Sequence, residues 1–315
     1  MQNPVIVITG PTACGKSDLA IDLALKTDGV IINCDSMQVY KGIPIISAAP
    51  SAEDKAKVEH RLFEIYDCDK RGNVMEWLDA CVWEVRSAWQ ENKLPIVVGG
   101  TGMYVEALLE GLSPVPAVTE EVRQQVKAMY NEKGLPEVYN YLKKIDSYSA
   151  QKLAHNDKSR IIRAVEVFLA TKRRMSDWQK IPPVKKLPEA EFLVVKLNPN
   201  VQEIEARCRK RLDKMVNELG ALKEISDLLE LGLSNDMPAM KALGVQELGQ
   251  FIKGEKTLAD ALKLAKLHTR QYIKRQRTWL KGRLKPDLTL DDIYTGQAEF
   301  VQKIIDCMQN SDKVL

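Results

Sequence analysis

Residues 5 to 17 encode a strand, a glycine-rich loop and the start of a helix, and this order constrains the fold more than any other feature. Val5 to Thr9 form a short apolar run. Apolar residues at helical spacing follow the loop, from Leu19 to Ala24. The eight loop residues fit the pattern G-x-x-x-x-G-K-[ST]: Gly10, Pro11, Thr12, Ala13, Cys14, Gly15, Lys16 and Ser17. Amides of such a loop and of the helix N-terminus converge on anionic oxygens, which predicts a phosphate or diphosphate site. The alternative is a glycine-rich turn without a ligand.

The composition is that of an ordinary globular protein. The chain has 315 residues, of which 45% are hydrophobic and 28% are charged, and this is enough for two compact units. No apolar stretch approaches the roughly 20 residues that span a bilayer, and the first strand leaves no room for a signal peptide. The six cysteines show no C-x-x-C pairing. We therefore expect a cytoplasmic protein with free thiols and no membrane association.

Strand and helix patterns alternate along most of the chain. Besides the first strand, apolar runs at 30–34, 95–98 and 192–197 predict strands, and residues 75–89, 102–109 and 201–231 predict helices. This alternation is typical of an α/β fold, a parallel sheet flanked by helices. Residues 114–188 show helical pattern only. We predict a P-loop-type α/β core of residues 1–113 and 189–315, with an all-α insertion domain at 114–188.

Polar residues follow two of the predicted strands. Asp35-Ser36 come after the strand at 30–34, and Gly99-Gly100-Thr101 end the strand at 95–98. Ligands bind at the carboxyl ends of parallel strands, so these residues belong beside the phosphate loop. Asp35 could organise Mg²⁺ and water, and Gly100 and Thr101 could receive a leaving diphosphate. For Asp35 and Thr101 the structural alternative is a helix N-cap.

Basic residues are concentrated in two segments, although the net charge is only +3. Residues 266 to 285 contain eight lysines and arginines and no acid, and Arg270, Lys274, Arg277 and Lys281 share one helical stripe. A second cluster comprises Lys158, Arg160, Arg163, Lys172, Arg173 and Arg174. Each cluster could be a solvated helix face. Two such clusters favour binding of a nucleic-acid backbone.

Seven segments together resemble the tRNA dimethylallyltransferase family, whose members prenylate the N6 amine of the adenine 3′ of certain anticodons. These segments run nearly end to end: residues 10–17 (GPTACGKS), 35–42 (DSMQVYKG), 60–63 (HRLF), 97–104 (VVGGTGMY), 155–166 (HNDKSRIIRAVE), 207–215 (RCRKRLDKM) and 269–279 (TRQYIKRQRTW). The chain departs from the family's pattern at Ile45 to Pro50, which lack a glycine and a lysine, and at Val245, where a tyrosine is usual.

The resemblance implies the reaction and the residues that serve it. Dimethylallyl diphosphate would donate its allylic group to tRNA and release diphosphate. Asp35 would be the general base, and Thr101 and Arg211 would stabilise the leaving group. The diphosphate would bind Gly10 to Ser17, with Ser17 holding the cofactor Mg²⁺. The anticodon stem-loop would bind Asp35, Ser36, Met37, Gln38, Thr101, Arg123, Ser159, Arg160, Ile161, Ile162, Arg163, Arg270, Lys274 and Arg277. We expect a monomer.

Three questions stay open in the sequence. A small-molecule kinase or a free-nucleotide prenyltransferase would share the phosphate loop, and an RNA-stimulated ATPase would share the basic surfaces. Cys14 lies just before the helix N-terminus, where amides and Lys16 could favour a reactive thiolate. It could equally pack as a small apolar residue.

Overall fold

A computed structural model of the protein describes residues 2 to 311. Met1 and residues 312 to 315, which are the ends of the predicted core, lie outside the described residues. The expected absence of a signal peptide rests partly on Met1, which lies outside the described residues. No helix among residues 2 to 311 is long and apolar enough to cross a bilayer.

Six parallel strands form one sheet in the order β3-β2-β4-β1-β5-β6, which confirms the predicted α/β fold class. The strands are β1 (Pro4–Thr9), β2 (Gly29–Asn33), β3 (His60–Arg61), β4 (Leu94–Gly99), β5 (Glu191–Leu197) and β6 (Leu288–Leu290). All six residues of β4 are buried, as expected for a parallel strand covered on both faces. The sequence missed β3 and β6 because these edge strands are only two and three residues long.

Helices make up most of the remaining chain. They are α1 (Lys16–Thr27), α2 (Pro44–Ser47), α3 (Ala52–Lys57), α4 (Val74–Gln90), α5 (Gly102–Glu110), α6 (Glu120–Ile145), α7 (Ser147–Lys152), α8 (Lys158–Thr171), α9 (Met175–Trp178), α10 (Val201–Asn217), α11 (Ala221–Glu230), α12 (Val245–Ile252), α13 (Leu258–Arg283) and α14 (Ala298–Ser311). The expectation of one continuous helix over 201–231 is wrong. Gly220 adopts a left-handed conformation with φ of 86°, and this ends α10 and sets the start of α11.

Each face of the sheet carries its own core. Alternate residues of the central strands, such as Ile6, Ile8 and Ile96, pack against α1 and α14. On the α4 side, Trp77 stacks on Tyr104 with ring centroids 4.2 Å apart, and its indole N–H donates to the Asn33 carbonyl. Burying large side chains on both faces fixes the strand register. The carboxyl ends of β2, β4 and β1 are thereby held side by side at one edge.

The chain divides into two compact units, and Glu110–Lys185 form the smaller one. This unit is built from α6 to α9, and its apolar core includes Val126, Leu142 and Val165. Gly134 interrupts α6 with non-helical dihedral angles, so α6 is two helical segments joined at a kink. An antiparallel bridge between Leu112 and Val184 joins the two ends of the unit.

A buried carboxylate organises the smaller unit. Asp146 is 1% exposed and accepts hydrogen bonds from the amides and hydroxyls of Ser149 and Ser176, at 2.6 to 3.0 Å. Burial alone would raise the pKa of Asp146, but these four donors outweigh it and hold the pKa below its ordinary value. Asp146 therefore ties α7 to α9 as an ionised group.

Candidate active site at the strand ends

The phosphate loop connects β1 to α1 in a conformation that depends on glycine. Gly15 has φ of 90°, and a Cβ atom there would lie 2.3 Å from the Tyr294 carbonyl oxygen. The Lys16 ammonium donates to the Pro11 carbonyl oxygen at 2.8 Å, so it lies over the loop. The sequence brings the loop amides, Lys16 and the N-terminus of the 12-residue helix α1 to one place.

Tyr294 holds the far side of this loop. Its backbone N–H donates to the Cys14 carbonyl oxygen at 3.1 Å, and its hydroxyl donates to Asp22 on α1. The Arg207 guanidinium donates to the Tyr294 carbonyl oxygen at 3.4 Å. The segment after β6 is thus part of the loop's support, although it contains none of the predicted site residues.

Thr12 is held by side chains from two distant helices. Arg211 on α10 donates from Nη2 to the Thr12 hydroxyl at 2.7 Å, and the Cys208 thiol lies 3.9 Å from the Thr12 carbonyl oxygen. The Thr12 amide donates to Oε1 of Gln276 on α13 at 2.9 Å. The structure therefore brings the predicted residue Arg211 to the loop. It also adds Gln276, which sequence reasoning missed.

Gln276 also reaches the end of β4. Its Nε2 donates to the Gly100 carbonyl oxygen at 2.9 Å, and a Cβ atom on Gly100 would lie 2.5 Å from that nitrogen. The space beside the Gly100 α-carbon is therefore occupied by a side chain of the protein itself. The sequence offered one signal, since Gln276 lies three residues after the buried Ile273 and shares its buried helix face.

Asp35, Ser36 and Thr101 meet at the ends of β2 and β4. The Thr101 hydroxyl accepts from the Ser36 amide at 2.9 Å and lies 3.3 Å from the Ser36 hydroxyl. Asp35 Oδ1 accepts from the Met37 amide at 2.8 Å, within a turn rather than a helix, so the helix N-cap alternative for Asp35 is wrong. Thr101 does precede α5, but its hydroxyl is bound to the Asp35-Ser36 segment.

The departure from the family's pattern at Ile45 to Pro50 coincides with a well-bonded turn. The Gln38 carboxamide donates to the carbonyl oxygens of Ser47 and Ala48, at 3.1 and 2.7 Å. Glu224 accepts from the Ile45 and Ile46 amides, both at 2.8 Å. Burial raises the pKa of Glu224, and these two amides oppose that rise. The Gln38 side-chain nitrogen therefore holds the backbone at Ser47 and Ala48.

The reactive-thiol interpretation of Cys14 is contradicted. The side chain is fully buried and packs in the core beneath α1, although Lys16 Nζ lies 3.9 Å from the sulfur. Burial raises the pKa of the Cys14 thiol more than the charge of Lys16 lowers it. Cys14 thus behaves as a small apolar residue that supports the loop from below.

The basic stripe on α13 is partly engaged within the protein. Arg270 pairs with Glu205 on α10 at 2.9 Å, and Arg277 donates to the Pro199 carbonyl oxygen at 2.7 Å. Lys274, between them in the stripe, is exposed. The Arg270 side chain is 69% exposed despite its pairing, so Arg270 and Lys274 can both contact a polyanion.

In the smaller unit, the predicted tRNA-binding residues divide into exposed and buried groups. Arg160 is 76% exposed and pairs with Asp157, whereas Arg163 is 39% exposed and pairs with Glu166. Burial lowers the pKa of Arg163, and the negative charge of Glu166 opposes this. The positive charge of Arg123 lowers the pKa further. Ser159 is exposed and Ile162 is half-buried.

Ile161 was predicted to bind tRNA, and the structure shows that this prediction is wrong. It is fully buried in the apolar core of the smaller unit, because it lies on the inner stripe of α8 with Ala164 and Val165. Its side chain therefore cannot be a surface contact. The second basic cluster is also not on one helix, since Lys172 ends α8 in a left-handed conformation and Arg174 precedes α9.

The residues beside the loop fit a Mg²⁺ ion that is bound mainly by a substrate's phosphates. The Ser17 hydroxyl is exposed at the first turn of α1, next to Lys16. Among residues 2 to 311, no three histidine, cysteine or carboxylate side chains are grouped as a metal cage. Mg²⁺ commonly takes one or two protein oxygens and completes its shell with substrate phosphates and water. One hydroxyl beside an anion cradle suits that binding mode.

Comparisons with known proteins show the family to which this chain is related. The family model described as IPP transferase matches residues 38–283. A tRNA dimethylallyltransferase of Rickettsia massiliae is 37% identical over 303 residues, covering 96% of this chain and 83% of that protein. One of Rhodospirillum centenum is 40% identical over 281 residues, covering 89% of each.

Solved structures show the same likeness. The crystal structure of a tRNA isopentenylpyrophosphate transferase of Staphylococcus epidermidis has a TM-score of 0.69 at 30% identity, over 98% of this chain and 99% of that one. A eukaryotic dimethylallyltransferase acting on tRNA has a TM-score of 0.78 at 28% identity, over 99% and 79%. Since the family model and the relatives extend over most of its length, this chain belongs to the IPP transferase family.

Proposed function

We propose that this protein transfers the dimethylallyl group of dimethylallyl diphosphate to the N6 amine of the adenine 3′ of the anticodon in tRNA, releasing diphosphate. One observation carries the proposal. Asp35, Thr101 and the phosphate loop follow three neighbouring strands, β2, β4 and β1, and so lie along one edge of the sheet. A carboxylate and an anion cradle at adjacent strand ends suit a displacement in which an amine loses a proton and a diphosphate leaves.

The phosphate loop would bind the diphosphate of the substrate rather than ATP. The C–O bond of an allylic diphosphate breaks as negative charge grows on the bridging oxygen and the diphosphate. Lys16, the loop amides and Arg211, which is bound to the Thr12 hydroxyl, supply donors and positive charge beside that position. Donors that are already oriented stabilise this charge most in the transition state.

Asp35 would take the proton from the adenine amine. The lone pair of that amine is delocalised into the ring, so bond formation to carbon is easier when a base removes the proton. The Met37 amide bonds to Asp35 Oδ1, and the second carboxylate oxygen makes no such bond within the part of the chain that the structure describes. Thr101 fixes the Asp35-Ser36 segment through the Ser36 amide.

Mg²⁺, bound through the Ser17 hydroxyl and the substrate's phosphates, would supply further positive charge at the leaving group. The exposed cations of α13 and of the smaller unit would bind the phosphates of the anticodon stem-loop. The adenine must leave its stack to reach an allylic group held at the strand ends. We place this reaction in the cytoplasm, where its tRNA substrate would be encountered.

Labelled dimethylallyl diphosphate tests the proposal. With Mg²⁺, we expect label to enter an anticodon stem-loop that carries adenine 3′ of the anticodon, and not a matched stem-loop with guanine there. Digestion to nucleosides should recover the label on N6-substituted adenosine. Label on AMP but not on tRNA would indicate a free-nucleotide prenyltransferase. RNA-stimulated ATP hydrolysis with no use of the allylic substrate would indicate an ATPase, and phosphate transfer from ATP to a small molecule would indicate a kinase.

A further inference from the structure

Gln276 makes two hydrogen bonds that join the phosphate loop to the end of β4. Its carboxamide oxygen accepts from the Thr12 amide and its nitrogen donates to the Gly100 carbonyl oxygen, each at 2.9 Å. The side chain is only 7% exposed. These partners fix the orientation of the carboxamide, because a backbone amide can only donate and a carbonyl oxygen can only accept. Both polar ends of Gln276 are thus satisfied by the site.

The bond from the Thr12 amide to Gln276 fixes the first part of the phosphate loop. Thr12 precedes the loop residues Ala13 to Ser17, whose amides lead into the N-terminus of α1. With its amide bound to Gln276 and its hydroxyl to Arg211, Thr12 is fixed at two polar groups. A loop fixed before ligand binding loses less conformational freedom when an anion binds.

The second bond links the two halves of the proposed reaction site. Gly100 precedes Thr101, whose hydroxyl holds the Ser36 amide beside Asp35. The contact requires glycine at 100, because a Cβ atom would lie 2.5 Å from the Gln276 nitrogen. One side chain therefore spans from the loop after β1 to the segment after β4.

We propose that Gln276 is a positioning residue, which holds the phosphate loop in the conformation that binds the allylic diphosphate. It does not touch the reacting atoms and acts through Thr12 and Gly100. This inference rests on the function proposed above. It predicts that losing Gln276 weakens diphosphate binding while the chemical step at saturating substrate is preserved.

Calorimetric binding of inorganic pyrophosphate with Mg²⁺ is the direct test. Gln276→Met has a similar length and loses both hydrogen bonds, so we expect the Kd to rise about tenfold. The matched control is Gln246→Met on α12, which loses the single hydrogen bond that the Gln246 Nε2 donates to the Met240 carbonyl oxygen. The control should bind pyrophosphate as the unaltered protein does. Equal Kd values for Gln276→Met and the unaltered protein would overturn the inference.

Steady-state kinetics separate positioning from a general loss of structure. Gln276→Met should raise the KM for dimethylallyl diphosphate about tenfold with kcat changed less than about threefold, the pattern of lost ground-state binding. A merely structural role would lower the fraction of active protein, and therefore kcat, without raising KM. That result would also overturn the inference.

Gln276→Glu gives a pH-dependent readout of the two-sided contact. A neutral carboxylic acid has one accepting oxygen and one O–H donor, so it can replace the carboxamide at both partners. The ionised form only accepts, and would face the Gly100 carbonyl oxygen with a second acceptor. The nearby charged groups are Arg211, bound to the same Thr12, and Asp35. The Tyr272 hydroxyl, one turn before Gln276, also bonds to the Gln276 side chain, and burial and the charge of Asp35 raise the pKa of Tyr272.

We expect Gln276→Glu to bind pyrophosphate about tenfold more weakly than the unaltered protein at pH 8 and to approach it at pH 5.5. Both proteins are measured at each pH, so that the titration of pyrophosphate itself cancels. A ratio that does not change with pH would contradict the two-sided contact. If the unaltered protein bound no pyrophosphate at all, the proposed function would fail first, and this outcome is distinct from failure of the Gln276 variants.

Discussion

Arg211 Nη2 lies 2.7 Å from the Thr12 hydroxyl oxygen, although the two residues are 199 positions apart in the sequence. The contact places a fixed positive charge at the phosphate loop. Since a neutral threonine leaves the guanidinium charge uncompensated, Arg211 remains available to an anionic leaving group.

Replacing Arg211 should therefore slow the chemical step. For Arg211→Ala we expect the single-turnover rate at saturating substrates to fall about 10²- to 10³-fold, the range for losing one oriented donor at a developing charge. The Kd for tRNA should change less than about threefold. Lys210→Ala, on the exposed face of the same helix, is the control and should retain the rate. An effect of Arg211→Ala on tRNA binding alone would contradict its place at the leaving group.

Two substitutions of Asp35 separate a base from a cap. Asp35→Asn keeps an oxygen that can accept from the Met37 amide, whereas Asp35→Ala does not. If Asp35 removes the proton, both variants should lose about 10²- to 10⁴-fold in single-turnover rate, with tRNA affinity changed less than about tenfold. Near-normal turnover by Asp35→Asn would show that the residue only caps its turn.

The arginines of the smaller unit should act through binding. For Arg160→Ala and Arg163→Ala we expect a higher Kd for tRNA, and a slope of log K against log salt that falls by about one per lost phosphate contact. The single-turnover rate at saturating tRNA should be unchanged. Lys133→Ala, at an exposed position of the same unit, should leave the salt slope as it is. A lower rate at saturation would place either arginine in the chemistry instead.

Burial of Cys14 predicts an unreactive thiol. A brief pulse of a thiol reagent on the native protein should leave Cys14 unlabelled, while Cys307, the only described cysteine that is not buried, reacts. Mass-spectrometric mapping should give the same result with and without pyrophosphate and Mg²⁺. Labelling of Cys14 that pyrophosphate blocks would restore the reactive-thiol interpretation.

The smaller unit should lose stability in acid because of Asp146. Its pKa is lowered in the folded state, so its contribution is complete above the unfolded value of about 3.9 and is lost as the pH falls through the folded pKa. We expect Asp146→Asn to destabilise this unit by about 1 to 3 kcal/mol at pH 7 and to weaken its pH dependence below pH 4. Hydrogen exchange measures this, with Asp177→Asn, whose side chain pairs with the exposed Lys180, as the control.

The sequence predicted the central strands well because each is a run of apolar residues bounded by polar or glycine residues. It could not find β3 or β6, since two or three residues carry no periodicity and pair only at an edge of the sheet. Gly220 was overlooked because the apolar stripe resumes after it, although its left-handed φ divides the helix.

The candidate site was predictable where the residue type itself carries chemistry. The phosphate loop and Asp35 belong to this group. Arg211 was named only through the resemblance to the family, and the structure brings it into contact with the loop. Gln276 was overlooked because a neutral side chain between two arginines resembles part of a solvated face, and its spacing from the buried Ile273 was the one signal against that. Only the tertiary fold shows that it points inward, to the two backbone groups that it joins. For Cys14 the sequence left a reactive thiol and a packed apolar residue equally open, since a loop position does not reveal burial.

The support of the phosphate loop has a consequence for how the protein is made. The loop is synthesised before the residues that hold it, Arg211, Gln276 and Tyr294, which follow it by about 200 to 280 positions in the chain. β1 itself must wait for both of its sheet neighbours, β4 and β5. A nascent chain that has not yet reached Tyr294 would therefore carry the full glycine-rich segment without the contacts that hold its loop.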